Sequence, residues 1–104
     1  MGFSFCNLWF EGPIVENQQL VTSQGVYVIV DLQPAAPAGV VVYVGQAADV
    51  QDRIGTHERW PSWKSVQRGR LAAYVCATPG FTETQRLTLE RAAINHFNPP
   101  CNRC

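Results

Sequence analysis

The chain has 104 residues, enough for one domain with a modest hydrophobic core. Its apolar content of 46% excludes a disordered protein, and its formal net charge of zero argues against a uniformly basic nucleic-acid binder. The charge is unevenly distributed, because all eight Lys and Arg residues lie in residues 53–104. An anionic partner such as a phosphate would bind the second half of the chain, and an ordinary solvated charged face is the alternative.

No run of residues approaches the ~18 consecutive apolar positions that a membrane span requires. The first ten residues also lack the basic start and the continuous apolar stretch of a signal peptide. We expect a cytoplasmic protein that does not enter the membrane, with export by a route that needs no such signal left open.

Residues 1–24 contain aromatic and aliphatic side chains without a clear period. We expect them to form an N-terminal extension that packs on the core. Residues 14–15 or 20–21 are candidates for a short edge strand.

Residues 25–30 and 40–44 are two runs of mainly β-branched and aromatic residues, and a Pro- and Gly-containing tract lies between them at residues 34–39. This pattern predicts a β-hairpin with a long tip. Residues 71–77 form a third run of the same kind and predict a third strand.

The first predicted helix covers residues 49–59. Asp49 is a suitable N-cap, and Trp60-Pro61 ends the helix. Arg53 and His57 lie one turn apart on this helix, on a partly apolar face. Each has an ordinary structural explanation when it is considered alone.

The second predicted helix covers residues 83–97, and Thr82 with Gln85 forms a capping-box pair at its start. Glu90 falls inside an apolar stripe formed by Leu87, Ile94 and Phe97. A carboxylate facing a core needs a partner. Glu90 therefore either lies at a cleft or pairs with Arg86 at the edge of the stripe.

Two tyrosines on the predicted hairpin complete a set of polar residues with complementary chemistry. Glu90 offers a carboxylate for a metal ion, Arg53 offers a guanidinium for a phosphate, and Tyr27, Tyr43 and His57 offer groups for proton transfer. The sequence predicts that these five residues share one site.

Two tripeptides on the predicted hairpin, Gly25-Val26-Tyr27 and Tyr43-Val44-Gly45, resemble those that name the GIY-YIG nuclease superfamily, with Val in place of Ile in both. Arg53 follows Gly45 by eight residues, as the arginine of that family does. His57, Glu90 and Asn102 match further residues of the family pattern. The resemblance covers residues 25–102.

The resemblance implies an α+β fold, a small three-stranded antiparallel sheet flanked by helices, in a nuclease-like domain at residues 25–104. It also implies an enzyme, a divalent-metal-dependent endonuclease that hydrolyses DNA phosphodiester bonds. The tract at residues 34–39 makes the spacing between the two tyrosines longer than in compact members. The neutral chain with no separate DNA-binding domain puts tight autonomous binding of duplex DNA in doubt.

The resemblance assigns a role to each residue of the site. Glu90 would hold one Mg²⁺ or Mn²⁺ ion, and Arg53 would bind the scissile phosphate. Tyr27 would contact the attacking water, and Tyr43 would position the phosphate or support Tyr27. The general base is either Tyr27 or His57, since their ordinary pKa values of about 10 and about 6.5 leave the assignment open.

Further residues are assigned to DNA binding or to the architecture of the site. Gly45 would allow close approach of the backbone, and Asn102 would tie the chain end to the site, although each also fits an ordinary turn. The predicted DNA-binding side chains are Arg59, Lys64, Arg68 and Arg70. Trp60 and Trp63 either pack on the sheet or stack on nucleotide bases.

Cys101 and Cys104 form one C-x-x-C pair, which is at most half of a zinc site. Two free thiols in a reducing compartment are the simpler expectation.

The nuclease interpretation fits a restriction, repair or mobile-element enzyme, or a DNA-degrading toxin. The toxin setting implies an inhibitor or immunity partner, and other settings imply a targeting partner. The alternative is a non-catalytic nucleic-acid or protein-interaction module on the same fold.

Overall fold

A computed structural model describes residues 2–102, which form one five-stranded antiparallel sheet with helices on both faces. The strands are β1 (Gly2–Phe5), β2 (Leu8–Ile14), β3 (Gly25–Gln33), β4 (Ala36–Ala47) and β5 (Arg70–Ala77). Their order across the sheet is β1-β2-β5-β3-β4, so β4 is an edge strand. The α+β class is confirmed, but the sheet has five strands where three were predicted.

The two additional strands come from the N-terminal residues and form a hairpin, with Phe3 opposite Phe10 and their rings stacked 4.9 Å apart. Its turn is Cys6-Asn7, and both residues have positive φ, as in the tight turns that join twisted strands. The sequence lacks the Asn-Gly signal for such a turn, and Pro13 interrupts the second strand. These two features explain why the hairpin was not predicted.

The hairpin formed by β3 and β4 has a two-residue tip, Pro34-Ala35, so the prediction of a long tip was wrong. Most of the Pro/Ala tract belongs to β4, with register irregularities opposite the end of β3. Gly39 permits this path, because its φ is +102° and a side chain there would lie 2.6 Å from Val30.

Two short helices replace the single helix predicted at residues 49–59. Helix α1 covers Val50–Gly55, and helix α2 covers Trp60–Val66. Asp49 caps α1 as predicted, and its side chain accepts the N–H of Asp52. Trp60-Pro61 begins α2 and does not end α1, because proline is favoured in the first turn of a helix.

Helix α3 covers Glu83–Phe97 and carries the predicted capping box. Its buried residues are Arg86, Leu89 and Ala93, whereas Leu87 is 41% exposed. The buried stripe is therefore rotated away from Leu87, and Glu90 lies at its boundary, half-buried. Among the described residues, no helix is long and apolar enough to cross a membrane.

Strand β3 is buried on both faces and separates two clusters of the core. Tyr27 and Ile29 face α1 and α2, where Val50, Ile54 and Trp63 pack. The intervening residues of β3 face the opposite side, where α3 packs together with the N-terminal hairpin. Helices α1 and α2 thus lie on the Tyr27 face of the sheet, and α3 lies on the other.

The cysteines Cys6, Cys76 and Cys101 are free thiols, and Cys101 is buried in a 3₁₀ turn, Pro100–Asn102. Cys104, the other half of the predicted C-x-x-C pair, lies outside the described residues.

Candidate active site

Tyr27 and Gly45 are paired across β3 and β4, and the tyrosine ring lies over the glycine. A Cβ atom at position 45 would lie 2.4 Å from both Cζ and Oη of Tyr27. Only glycine leaves space for the phenol there. Gly45 lies within a strand and not in a turn, so the need for glycine at this position comes from the Tyr27 ring.

Tyr43 and His57 complete an aromatic cluster with Tyr27. The ring centroids of Tyr27 and Tyr43 are 6.3 Å apart, and those of Tyr43 and His57 are 5.0 Å apart. Trp63 packs behind His57 at a centroid distance of 4.6 Å. His57 lies in the segment between α1 and α2, so the ring reaches the tyrosines because the predicted helix breaks.

Arg53, in the last turn of α1, contacts both sides of the site. Its guanidinium lies beside the Tyr27 phenol, where it opposes the rise in the pKa of that phenol. Its Nη1 and Nη2 donate to the two carboxylate oxygens of Glu58 at 2.7 and 3.1 Å. This bidentate pair lowers the pKa of Glu58 to about 2. The sequence analysis did not identify Glu58, because nothing in the sequence places it against Arg53.

His57 is 3% exposed, and burial together with the charge of Arg53 lowers its pKa to about 4. The ring is therefore neutral at neutral pH. Its Nδ1 accepts the backbone N–H of Arg59 at 3.0 Å, so the single ring proton is on Nε2. Nε2 is buried without a hydrogen-bond partner among the described residues. The ring is thus a donor at Nε2.

The two phenols are also held in their neutral forms. Burial raises the pKa of Tyr27 well above its ordinary value, and Tyr43 adds to the rise while Arg53 opposes it. Burial and the charge of Glu90 raise the pKa of Tyr43. Both hydroxyl groups are therefore protonated at neutral pH.

Glu90 reaches this region from α3, on the other face of the sheet, past the edge strand β4. The backbone N–H of Gln46 lies beside its carboxylate. Burial raises the pKa of Glu90, and the Gln46 N–H and Arg91 oppose the rise. The alternative pairing with Arg86 is wrong, since Arg86 donates to Gln46 and Gln24.

Asn102 lies along the same outer edge of β4. Its side-chain Oδ1 accepts the N–H of Val44 at 2.7 Å, and its Nδ2 donates to the Val44 carbonyl at 2.8 Å. The amide therefore pairs with the edge strand as another strand would. Val44 lies between Tyr43 and Gly45, so this contact holds the segment of β4 that carries both.

The predicted DNA-binding residues do not all lie near this cluster. The backbone of Arg59 is bonded to His57, and Lys64 is exposed on α2. Arg70 is paired with Leu32, five residues along β3 from Tyr27, which corresponds to about 16 Å. Arg68 and Arg70 therefore lie toward the opposite end of the sheet.

A buried carboxylate that the sequence analysis missed fixes the loop before β5. Asp31 is 1% exposed and accepts the backbone N–H groups of Arg68 and Gly69 at 2.7 and 2.9 Å. Burial opposes ionisation of Asp31, but these bonds and one from Gln33 outweigh it and lower its pKa. The loop that carries Arg68 is therefore held in one conformation.

Of the two tryptophans, Trp63 is fully buried and cannot stack on bases. Trp60 packs on Trp63, and its Nε1 donates to the Ile54 carbonyl at 2.7 Å. The packing interpretation holds for both.

Within residues 2–102, no group of three or more His, Cys, Asp or Glu side chains forms a preassembled metal site. Two carboxylates lie near the tyrosines, and because Arg53 holds that of Glu58, the carboxylate of Glu90 is the one left to bind a metal ion. A single carboxylate fits a strongly hydrated Mg²⁺ ion, which keeps several waters and takes further oxygens from a substrate phosphate.

No protein-family model matches the chain, and no solved structure matches it. Among curated proteins, the chain is similar to UvrABC system protein C of Proteus mirabilis (strain HI4320), with 35% identity over 85 residues. The match covers 79% of this chain and 13% of that protein, so the chain spans about one eighth of the length of its relative. This partial similarity is compatible with the resemblance to the GIY-YIG nucleases.

Proposed function

We propose that the protein is a nuclease that hydrolyses phosphodiester bonds of DNA with the help of one divalent cation. The observation that carries the proposal is the grouping of Tyr27, Tyr43, Arg53, His57 and Glu90 at the β4 edge of the sheet. They come from β3, β4, α1, the α1–α2 segment and α3. Core packing alone does not require phenol, guanidinium, imidazole and carboxylate groups to meet there.

DNA repair is the proposed setting, because of the partial similarity to UvrABC system protein C. The match covers a small part of that protein, so the activity of the whole relative is not transferred to this chain.

In the proposed mechanism, Arg53 binds the scissile phosphate. Its planar fork already holds the two oxygens of the Glu58 carboxylate, and a phosphodiester offers two oxygens of similar spacing. The Arg53–Glu58 pair is partly exposed, and exposed ion pairs contribute little stability. A substrate phosphate can therefore take the place of Glu58.

We propose Tyr27 as the group that contacts the attacking water. Because its pKa is raised, the phenol needs additional positive charge nearby before it can release its own proton to solvent, and only the resulting phenolate could accept a proton from the attacking water. His57 is less suited to act as the base, because its Nδ1 is occupied and its Nε2 carries the proton. We assign to His57 the role of a neutral hydrogen-bond donor that also holds the tyrosine rings in place.

Glu90 is the proposed ligand of the divalent cation, which when bound would stabilise negative charge on the phosphate and lower the pKa of bound water. Tyr43 would position the phosphate. Gly45 leaves room for the Tyr27 ring, and Asn102 holds the strand between them.

The basic residues define the proposed path of the DNA. Arg59 and Lys64 belong to the helical side that carries Arg53, whereas Arg68 and Arg70 lie toward the far end of β3, with Arg70 3.9 Å from the Glu16 carboxylate. Contacts of this kind, about 16 Å apart, suit a phosphate backbone and carry no sequence information.

The alternative is a non-catalytic nucleic-acid or protein-interaction module, and the Arg53–Glu58 pair is the observation that favours it. In that case Glu58 neutralises Arg53 permanently, and the grouped side chains only stabilise the fold.

Cleavage of a labelled DNA duplex with Mg²⁺ and with EDTA separates the two proposals. In Glu90→Gln the shape is kept and the charge is lost, so the rate should fall by several powers of ten while folding is retained. Glu83→Gln, at the exposed start of the same helix, is the matched control and should cleave at the wild-type rate. An unchanged rate in Glu90→Gln would remove Glu90 from the site, and a wild-type chain without Mg²⁺-dependent cleavage favours the module.

A further inference from the structure

Arg86 is a buried cation without an acidic partner. Arg86 is 9% exposed, and no carboxylate within residues 2–102 forms an ion pair with it. Buried charged side chains are rare unless they are paired. Packing of α3 on the sheet does not require an arginine at this position, since an aliphatic side chain could be buried there. The guanidinium therefore needs another explanation.

The partners of Arg86 are the side chains of two glutamines on neighbouring strands. Its Nε donates to Oε1 of Gln46 at 2.9 Å, and its Nη1 donates to Oε1 of Gln24. Gln24 directly precedes β3, and Gln46 lies at the end of β4, opposite Val26. One guanidinium thus links α3 to the two strands that carry Tyr27 and Tyr43.

Gln46 contacts α3 at a second point. Its side chain accepts from Arg86 at 2.9 Å, and its backbone N–H lies beside the carboxylate of Glu90, one turn later on the helix, where it lowers the pKa of that carboxyl. The two contacts are about 6 Å apart along the helix axis. Together they fix the position of this turn of α3 along the helix axis and its rotation about that axis, relative to the end of β4.

This fixation matters because α3 packs on the face of the sheet opposite Tyr27. Leu89 and Ala93 contact the cluster that contains Val26 and Val28. These contacts are apolar and non-directional, so on their own they would allow α3 to slide along the sheet. The charge of Glu90 acts on both tyrosines, and the turn of α3 that carries Glu90 lies at the end of β4. A displacement of about 1 Å at a catalytic group can reduce the rate by about 10²-fold.

We propose that Arg86, Gln24 and Gln46 form a clamp that positions the Glu90 carboxylate beside the tyrosines, with Arg86 as its central positioning residue. The catalytic part of this inference rests on the proposed nuclease function. The fork of Arg86 reaches two acceptors at fixed directions, whereas a lysine ammonium is a point charge and cannot reproduce that geometry.

The test uses the full chain with Arg86→Lys, which keeps the charge, and Gln24→Ala, which removes one acceptor and leaves the core intact. Hydrogen exchange of the Gln46 amide is measured first, because it reports the contact with the Glu90 carboxylate without any need for activity. We expect exchange at Gln46 to accelerate at least about tenfold in Arg86→Lys, as in Glu90→Ala, which removes the acceptor, while the Val28 amide in the sheet centre changes far less.

Cleavage kinetics supply the second measurement. In Arg86→Lys we expect kcat to fall about 10²-fold with the KM for DNA within about threefold of wild type, and in Gln24→Ala a smaller fall in kcat. Phe10→Leu is the stability control, because Phe10 is buried in the same core cluster away from the clamp. It should lower the free energy of unfolding without changing kcat or the relative exchange of Gln46.

The two proposals fail in different ways. Unchanged exchange at Gln46 in Arg86→Lys, or a kcat equal to that of Phe10→Leu, would overturn the clamp and leave the proposed nuclease intact. A wild-type chain that cuts no DNA would overturn the nuclease and with it the catalytic role of the clamp, even where the exchange result shows that Arg86 holds Glu90 in place.

Discussion

The burial of His57 makes the stability of this protein depend on pH in a defined direction. Burial, with a contribution from Arg53, lowers the pKa of the folded ring to about 4, whereas an unfolded histidine has a pKa of about 6.5. Between these values the unfolded chain binds a proton that the folded chain does not bind. The free energy of unfolding must therefore fall as the pH falls through this range.

The size of the effect follows from the two pKa values. The contribution of the neutral buried ring is complete above about pH 6.5 and is lost progressively toward about pH 4. Integrated from about pH 7.5 to about pH 5, the loss is about 2 kcal/mol. This is a large share of the 5–15 kcal/mol that is typical of a folded domain.

The assay is urea denaturation of wild type and His57→Gln at both pH values. Carboxylates titrate in both proteins. The difference between the two proteins in the free energy of unfolding lost on acidification therefore isolates His57. We expect wild type to lose about 2 kcal/mol more than His57→Gln on acidification. His96→Gln replaces the other, exposed histidine and should keep the wild-type dependence. Equal losses in wild type and His57→Gln would refute a neutral buried ring.

Three further predictions concern the contacts of the site. Gly45→Ala places a methyl group 2.4 Å from the Tyr27 ring. We therefore expect thermal unfolding to show a free energy of unfolding lower by about 1–3 kcal/mol, and the rate of DNA cleavage to fall strongly. Glu58→Gln removes the carboxylate that competes for Arg53, and steady-state cleavage should show a KM for DNA several-fold lower. Asn102→Ala removes two hydrogen bonds to the edge of β4, so urea denaturation should show a free energy of unfolding lower by about 1–3 kcal/mol.

Each of these has a clear contrary result. Gly55→Ala is the control for Gly45→Ala, since its added methyl lies 3.4 Å from Asn17 and should be neutral or stabilise by up to about 1 kcal/mol. Equal behaviour of the two alanine variants would contradict the steric argument. Slower cleavage by Glu58→Gln at low DNA concentration would mean that Glu58 positions Arg53. An Asn102→Ala protein of wild-type stability would show that β4 needs no partner at its outer edge.

Local sequence signals determined the elements that depend on neighbouring residues. The capping box at Thr82 and Gln85 set the start of α3, and Asp49 set the start of α1. The runs of β-branched and aromatic residues correctly predicted β3, β4 and β5, because each run is compatible with a strand buried on at least one face.

Long-range packing decided the features that the sequence could not show. The N-terminal hairpin pairs with β5 through contacts far apart in the chain, and its Cys6-Asn7 turn lacks the usual signal. Pro61 marks a helix boundary in the sequence, but only the packing of Trp60 on the buried Trp63 shows that it begins α2.

The same division applies to the candidate site. The sequence alone determined which residue types are present, and their order along the chain suggested Tyr27, Arg53 and Glu90 as members of one group. Only the tertiary structure placed the Glu58 carboxylate on Arg53, buried His57 with its proton on Nε2, and set Arg86 between α3 and two strands. These contacts join residues on separate elements, and their strengths depend on burial and distance, which are properties of the folded chain and not of any local stretch of sequence.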